Sequence, residues 1–260
     1  MSLDNQFKIK KIANSFILYD DSVVTEPTLQ LFAGVSPDAD YHTKSGAQQN
    51  NSAAGSIAGS RSGIGRAQVV YFQYESNSLV FSLVLKHYYR GGMIARLSKD
   101  RYLGFGVENS RAFKEFRLLK KMSELGLPVP DAVAARVEKQ LFSYRADLIS
   151  REIENVKTLS DILSGQKLDA AFWKKIGSTI KQFHQHDIYH ADLNARNILI
   201  TDSEEIYLID FDNSYIRTGS ASWKMANMAR LNRSLMKFKK NTNGFNFDEK
   251  SWSLLLDGYS

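Results

Sequence analysis

Residues 190–199 read His-Ala-Asp-Leu-Asn-Ala-Arg-Asn-Ile-Leu, and residues 209–212 read Ile-Asp-Phe-Asp. Together they set oxygen-bearing side chains, Asp192, Asn197 and Asp210, at fixed spacing. A metal held against a triphosphate needs hard oxygen ligands, which Asp210 and Asn197 supply. An acceptor hydroxyl needs a carboxylate within hydrogen-bond reach, which Asp192 supplies. The plain alternative is a polar turn whose Asp and Asn side chains cap backbone groups. Against it stands the fixed spacing of five positions, set between a helix and a small hairpin.

That setting can be read outward from the loop. Before it, Trp173, Ile176, Ile180 and Phe183 recur at helical spacing, which predicts a helix over Ala170 to His184 with Asp169 as its N-cap. After it, the apolar runs Asn197–Ile200 and Ile206–Ile209 flank a polar stretch, Thr201 to Glu205, and predict a small hairpin. Upstream, residues 158–163 suggest a short helix and Tyr144 to Ile149 a strand. Phe116, Leu119 and Met122 share one face of a helix over 110–125, which Gly126, Pro128 and Pro130 stop. Gln68–Tyr74 and Leu79–Lys86 are rich in β-branched and aromatic residues and predict an antiparallel hairpin turning through Glu75 to Ser78. Residues 42–65 are rich in Gly, Ser, Ala, Gln and Asn and predict loop. Strands dominate the first half and helices the second. The expectation is an α+β chain of two lobes, residues 1–150 and 151–260, with 1–58 left without assigned elements.

The H-x-D-L-x-x-x-x-N pattern followed by D-F-x resembles the signature pair of the protein-kinase-like fold. The resemblance implies a bilobal molecule with an antiparallel-sheet N-lobe and a small, mainly helical C-lobe, and ATP with Mg²⁺ between them. The N-terminal half then supplies the nucleotide clamp. Lys86 ends a strand in Leu83-Val84-Leu85-Lys86 and can bridge phosphates; a lysine there can equally end a strand in water. Glu115 lies on the core side of its helix and wants a cation, for which Lys86 is the natural candidate; Glu108 competes for the role. Gly63 and Gly65, in Gly-Ile-Gly-Arg-Ala-Gln-Val-Val, sit just before the first strand of the hairpin. They suit a loop, 59–66, that covers phosphates with backbone N–H groups, or else an ordinary turn. Gln68 stands where a third glycine would be.

Composition narrows the function classes. The chain has 260 residues, a net charge of +6, 43% hydrophobic and 24% charged residues, which are globular proportions. It has no cysteine, so disulfides, thiolate metal sites and cysteine nucleophiles are excluded. No stretch approaches ~18 consecutive apolar residues, and Met1 to Lys11 lacks an apolar core of signal-peptide type; a cytoplasmic protein is expected. The positive balance suits an anionic partner. A nucleic acid is not expected, because the basic residues are not interleaved with an aromatic platform. A non-catalytic nucleotide-binding regulator would not need Lys86, Asp192, Asn197 and Asp210 together. An atypical protein kinase or another small-molecule kinase of this fold stays open. Against a protein kinase, no A-P-E segment follows Asp212, and Asn194 stands two residues after Asp192, where protein serine/threonine kinases usually carry lysine.

Longer strings are more specific. They are Lys86-His87-Tyr88-Tyr89-Arg90-Gly91-Gly92, Leu97 to Tyr102, Phe113 to Leu119, Gly126 to Pro130, Tyr144 to Ile149, and His190 to Asn197. With them the chain resembles the 3-deoxy-D-manno-octulosonic acid (Kdo) kinases of the lipopolysaccharide kinase family, over roughly residues 60–240. The resemblance implies ATP-dependent phosphorylation of the 4-hydroxyl of Kdo on a Kdo-lipid A precursor, Kdo-lipid IVA. It also implies a place at the cytoplasmic face of the Gram-negative inner membrane. Asp192 carries over as catalytic base, Asn197 and Asp210 as Mg²⁺ ligands, and Lys86 as the phosphate lysine. Arg90, Lys99, Arg101 and Arg196 are candidates for contact with substrate phosphate or sugar carboxylate, the alternative being surface charge. Gln68, and Asp212 in place of a glycine after Phe211, depart from the kinase pattern. No obligate protein partner is implied.

Residues 213–247 contain no Asp or Glu but include Arg217, Lys224, Arg230, Arg233, Lys237, Lys239 and Lys240. On a helix, Met228, Leu231, Leu235 and Phe238 form one stripe, and Arg230, Arg233, Lys237 and Lys240 another face. The expectation is a last helix on the core of its lobe, whose basic face attracts an anionic substrate or an anionic inner-membrane surface.

Overall fold

The computed structural model describes residues 7–35, 56–62, 69–88, 102–103, 106–141, 143–219 and 222–260. The chain clusters into two compact units. One comprises Met1–Arg117 with Asp131–Glu152, the other Leu118–Pro130 with Ile153–Ser260.

The first unit is built on one antiparallel sheet. Its strands are β1 (Lys8–Ile12), β2 (Ser15–Tyr19), β3 (Ser56–Ser62), β4 (Val69–Ser76), β5 (Leu79–His87), β6 (Tyr102–Leu103), β7 (Ala132–Gln140) and β8 (Ser143–Arg151). They run in the order β1-β2-β7-β8-β5-β4-β3, with β6 added on β8. The β4–β5 hairpin is tighter than the sequence suggests. Glu75 and Ser76 still pair with Val80 and Leu79, and the turn is only Asn77-Ser78, both at positive φ. That is the backbone of a two-residue turn whose twist matches the flanking strands. Alternation does the rest. Val70, Phe72 and Tyr74 of β4 and Leu83 and Leu85 of β5 join Ile17, Ile149, Val23, Val24, Leu31 and Phe32 in one core. The last four come from a turn and a 3-10 helix, Leu29–Val35, that lie over this face. Each such side chain contributes about 1.5–3 kcal/mol on burial.

One expectation is corrected here. Residues 42–65 were expected to be loop, and the covering loop to span 59–66, yet Ser56–Ser62 forms β3, paired with β4 across a register shift between Ala58 and Ser60. An edge strand takes its hydrogen bonds from backbone groups that every residue carries. Low apolar content therefore does not forbid it, and the glycine at 59 falls at the irregularity.

Helix α1 (Arg111–Glu124) gives its residues up to Arg117 to the first unit and the remainder to the second. Phe116, Leu119 and Met122 are all buried, as their spacing requires. The second unit adds β9 (Val156–Thr158), α2 (Leu159–Gly165), α3 (Ala170–Gln185), β10 (Ile188–Tyr189), β11 (Ile198–Thr201), β12 (Ile206–Leu208), β13 (Tyr215–Ile216), α4 (Ser222–Asn241) and α5 (Glu249–Tyr259). Asp169 caps α3 by accepting from Phe172 N at 2.7 Å, and Trp173, Ile176, Ile180 and Phe183 are buried beneath it. The expected small hairpin is β11–β12, extended by β9 into a three-stranded sheet. Helices α3 and α5 pack at glycines. A Cβ on Gly177 would lie 2.0 Å from the Leu255 carbonyl oxygen, and one on Gly258 2.0 Å from that of Lys174. Among the described residues no helix is long and apolar enough to cross a membrane.

Candidate active site

In the first unit, β5 presents Lys86 on the face opposite Leu83 and Leu85. Its Nζ lies 2.9 Å from Glu115 Oε1 and 3.0 Å from Oε2. Glu115 is only 4% exposed, so the pair is what makes a buried carboxylate tolerable there. Tyr88 donates its hydroxyl to Glu115 Oε2, and its ring lies 4.8 Å from Lys86 Nζ. Glu108, the competing candidate, pairs with Arg117 instead. Beside Lys86 the strand register is pinned by a buried polar group. His87, Asp147 and Arg136 stand opposite one another on β5, β8 and β7. Asp147 Oδ1 lies 2.6 Å from His87 Nδ1, and Asp147 Oδ2 accepts from Arg136 Nε and Nη2 at 2.7 Å each. A one-residue slip of any of the three strands would turn its own member of the group to the opposite face.

In the second unit, the loop 190–197 follows α3 and the short β10. His190 fixes its start. Asp192 N–H donates to His190 Nδ1 at 3.1 Å, so the proton of the neutral ring sits on Nε2, 3.0 Å from the Ile209 carbonyl. Phe211 is fully buried, 4.6 Å from the His190 ring and 5.8 Å from Phe183. Asn194 Nδ2 donates to Asp192 Oδ2 at 3.0 Å and Asn197 Nδ2 to the Asp192 carbonyl at 2.9 Å. The bonds Ile209 N to Asn197 O, at 3.0 Å, and Ala191 N to Ser214 Oγ, at 3.0 Å, tie the loop to the segment carrying Asp210. Asp210 itself is exposed at φ +64, a left-handed conformation that Asp tolerates better than most residues.

Helix α4 holds the same loop from the other side. Asn227 Nδ2 donates to the His190 carbonyl at 2.7 Å, and Arg230 Nη1 to Asp192 Oδ1 at 3.0 Å. Ser234 Oγ accepts from Ala195 N at 3.2 Å, and the Arg196 guanidinium lies 5.2 Å from the Phe238 ring centre. Helix positions 227, 230, 234 and 238 are one face, and they meet loop positions 190, 192, 195 and 196 in order. Behind Asn227, its Oδ1 accepts from His184 Nε2 at 3.2 Å, and His184 Nδ1 lies 2.7 Å from the Tyr259 hydroxyl. Burial pushes the His184 pKa down to about 4, against the pull of the Asn227 bond; Lys224 and His190 lower it further. Of the expected stripe, Met228, Leu231 and Leu235 are buried and Phe238 is half-buried, while Arg230, Arg233, Lys237 and Lys240 are exposed. Asn227, Ser234 and His184 are not among the residues the sequence singles out, and Arg230 enters there only as one of the basic face of its helix. The one available signal was the 3-4-4 spacing of Asn227, Arg230, Ser234 and Phe238.

For a Mg²⁺ ion the donor set fits. Among the described residues no three His, Cys, Asp or Glu side chains gather as a closed cage. Mg²⁺ in phosphoryl transfer needs only one or two protein oxygens, the phosphates and water supplying the rest. Asp210 offers a carboxylate. Asn197, its Nδ2 committed to the Asp192 carbonyl, leaves Oδ1 for a cation. Of the other candidates, Arg196 is exposed, and Gly63, Gly65, Arg90, Lys99 and Arg101 lie outside the described residues.

The lipopolysaccharide kinase (Kdo/WaaP) family model matches residues 60–259. The chain belongs to this family. Among family members, the 3-deoxy-D-manno-octulosonic acid kinase of Mannheimia succiniciproducens is 41% identical over 207 residues, covering 78% of this chain and 84% of its own. That of Actinobacillus succinogenes is 39% identical over 209 residues, 79% and 85% of the two chains. That of Vibrio cholerae is 38% identical over 190 residues, 73% and 76%. The matched span of the lipopolysaccharide kinase family includes both the Lys86–Glu115 pair and the whole of the 190–212 segment.

Proposed function

We propose that this family member transfers the γ-phosphoryl group of ATP to the 4-hydroxyl of Kdo on Kdo-lipid IVA, in assembly of the lipopolysaccharide inner core. The observation that carries the reading is the Asp192 carboxylate, 58% exposed on a loop whose neighbouring polar groups are tied down. It stands so in a chain about 40% identical over most of its length to Kdo kinases.

The chain's own residues divide the work. Asp192 accepts the hydroxyl proton as the sugar oxygen bonds to phosphorus and the bond to the ADP oxygen breaks. Asn194 holds Oδ2 of that carboxylate, so it is oriented before substrate arrives. Lys86, fixed by Glu115, takes non-bridging phosphate oxygens as a point charge. Asp210 and Asn197 would hold Mg²⁺, which neutralises phosphate charge. The protein works as a peripheral protein on the cytoplasmic face of the Gram-negative inner membrane. In support, α4 exposes Met236 with Arg233 and Lys240 one turn to either side, and each basic group near an anionic leaflet adds about 1 kcal/mol.

Mass spectrometry of Kdo-lipid IVA after incubation with enzyme and ATP tests the reading: a single added phosphate is expected. Asp192→Asn should lower kcat by at least about 100-fold with ATP affinity within a few-fold of the parent. Near-normal turnover of that variant would remove Asp192 as base.

A further inference from the structure

We propose that Arg230 is the acceptor-recognition residue: its guanidinium takes the carboxylate of the same sugar whose hydroxyl meets Asp192. The inference rests on the proposed function and adds the group that selects an acidic sugar over a neutral one.

Asp192 Oδ2 is held by Asn194 Nδ2 and Oδ1 by Arg230 Nη1, each at 3.0 Å. The base is thus gripped on both oxygens, but the two grips differ. Asn194 is neutral and its other amide atom is used, its Oδ1 accepting from Arg196 N at 2.8 Å. Arg230 is a cation that uses one N–H of five; its remaining N–H groups bond to none of the described residues, and its side chain is 44% exposed. A planar fork with spare donors, open to solvent, is built for a carboxylate. Its place fixes which carboxylate. The acceptor hydroxyl must come within about 2.6–3.2 Å of Asp192, and an anion on the fork sits about 2.8 Å from nitrogen. With 3.0 Å between the two side chains, hydroxyl and anion fall within about 9 Å of each other. Two groups on one sugar residue lie within that limit, and the proposal places both on the same residue of the acceptor.

Another cation beside the loop, Arg196, is committed differently, its guanidinium lying over Phe238. Arg230 is in turn held in place because α4 is fixed to the loop on both sides of it, through Asn227 and Ser234. It also leaves the carboxylate of Asp192 paired when no acceptor is bound.

The test crosses enzyme and acceptor changes. Wild type, R230Q and R230K are assayed on Kdo-lipid acceptor and on the same acceptor with the Kdo carboxylate methyl-esterified. Wild type should lose about 10- to 100-fold in kcat/KM on esterification, the worth of one charge-assisted pair. R230Q should lose a similar factor on the free acid, chiefly through acceptor KM, and less than about 3-fold more on esterification. R230K, which keeps the charge without the fork, should fall between. ATP KM within about 2-fold of wild type shows that each variant is folded. If esterification costs R230Q as much as it costs wild type, the two groups do not meet and the assignment is wrong. If R230Q loses kcat equally on both acceptors, Arg230 serves Asp192 alone, which equally overturns it. A wild-type enzyme that phosphorylates neither acceptor would sink the proposed function instead.

Discussion

Asn227 of α4 donates its side-chain amide to the carbonyl of His190 at 2.7 Å. It is thereby the first rung of a ladder that runs from helix to loop through Arg230–Asp192, Ser234–Ala195 and Phe238–Arg196. The helix lays one residue per turn along a loop too short and polar to bury itself. Such a loop holds itself only through a few side-chain bonds, and the helix supplies the rest of its geometry from outside.

Replacing Asn227 by Ala removes that rung. The residue is 2% exposed, so His190 O and His184 Nε2–H would both lose a partner in a place water reaches poorly. The expected cost is about 2–4 kcal/mol in a urea titration. kcat should fall more than ATP affinity, since the loop carrying Asp192 loosens. Stability within about 0.5 kcal/mol of wild type would mean that the bonds are not what fixes the loop.

Lys86 and Glu115 make a second prediction through the asymmetry of buried pairs. Lys86→Met leaves the Glu115 carboxylate buried with its main cation gone, which should cost about 3–5 kcal/mol. Lys86→Met combined with Glu115→Leu removes the stranded charge and should recover part of that loss, although neither protein turns over. Thermal unfolding of the single and double variants decides. A double variant less stable than Lys86→Met would show that Tyr88 and the rest of the surroundings, not the ion pair, set the energetics there.

How far the sequence went depended on how local each signal was. The helix α3 was legible because Trp173, Ile176, Ile180 and Phe183 and the Asp169 cap all lie within one element. The polar segment 190–212 stands out in the sequence because its Asp and Asn positions recur at fixed spacing within one short stretch. The Lys86–Glu115 pair was reached by pairing a core-facing charge with an available cation. Strand β7 was missed. Its start, Ala-Val-Ala-Ala, has poor strand propensity and no alternation, because Ala132 to Ala135 are buried outright. Nothing in the sequence marks β1 and β2 as strands and β3 reads as loop, since pairing with β7 and β4 is a partner's contribution. The α4 ladder was missed for the same reason. Asn227 and Ser234 are ordinary helix residues until the loop they hold is in place.

The α3–α5 glycines give a third prediction. Gly177→Ala and Gly258→Ala each drive a methyl into a backbone carbonyl at 2.0 Å, which no side-chain rotation relieves. Each should cost at least about 1–3 kcal/mol and more if the helices cannot part. Gly165→Ala, at the end of α2 with open space around its Cβ, should instead be neutral or stabilise by up to about 1 kcal/mol. Chemical denaturation midpoints of the three variants provide the contrast. Equal, small effects at 165 and 177 would mean that α3 and α5 do not meet as closely as described.

His184 gives the pH dependence. Its pKa is pushed down from 6.5 to about 4 by burial, so the folded state favours the neutral ring that accepts from Tyr259 and donates to Asn227. The unfolded chain takes up the proton first as pH falls. Stability from this group is therefore whole above pH 6.5, is lost as pH drops from there toward 4, and changes no further below, where both states are protonated. The loss over that window is roughly 3 kcal/mol. Carboxylates contribute to acid unfolding as well, so the comparison with His184→Gln isolates the effect. Glutamine can still donate to Asn227 but does not titrate. That variant should be less stable than wild type at pH 7.5 and show a shallower decline between pH 6.5 and 4. Parallel stability curves for the two proteins across that range would mean that His184 keeps its ordinary affinity for a proton and that the Tyr259–His184–Asn227 chain is not closed to water.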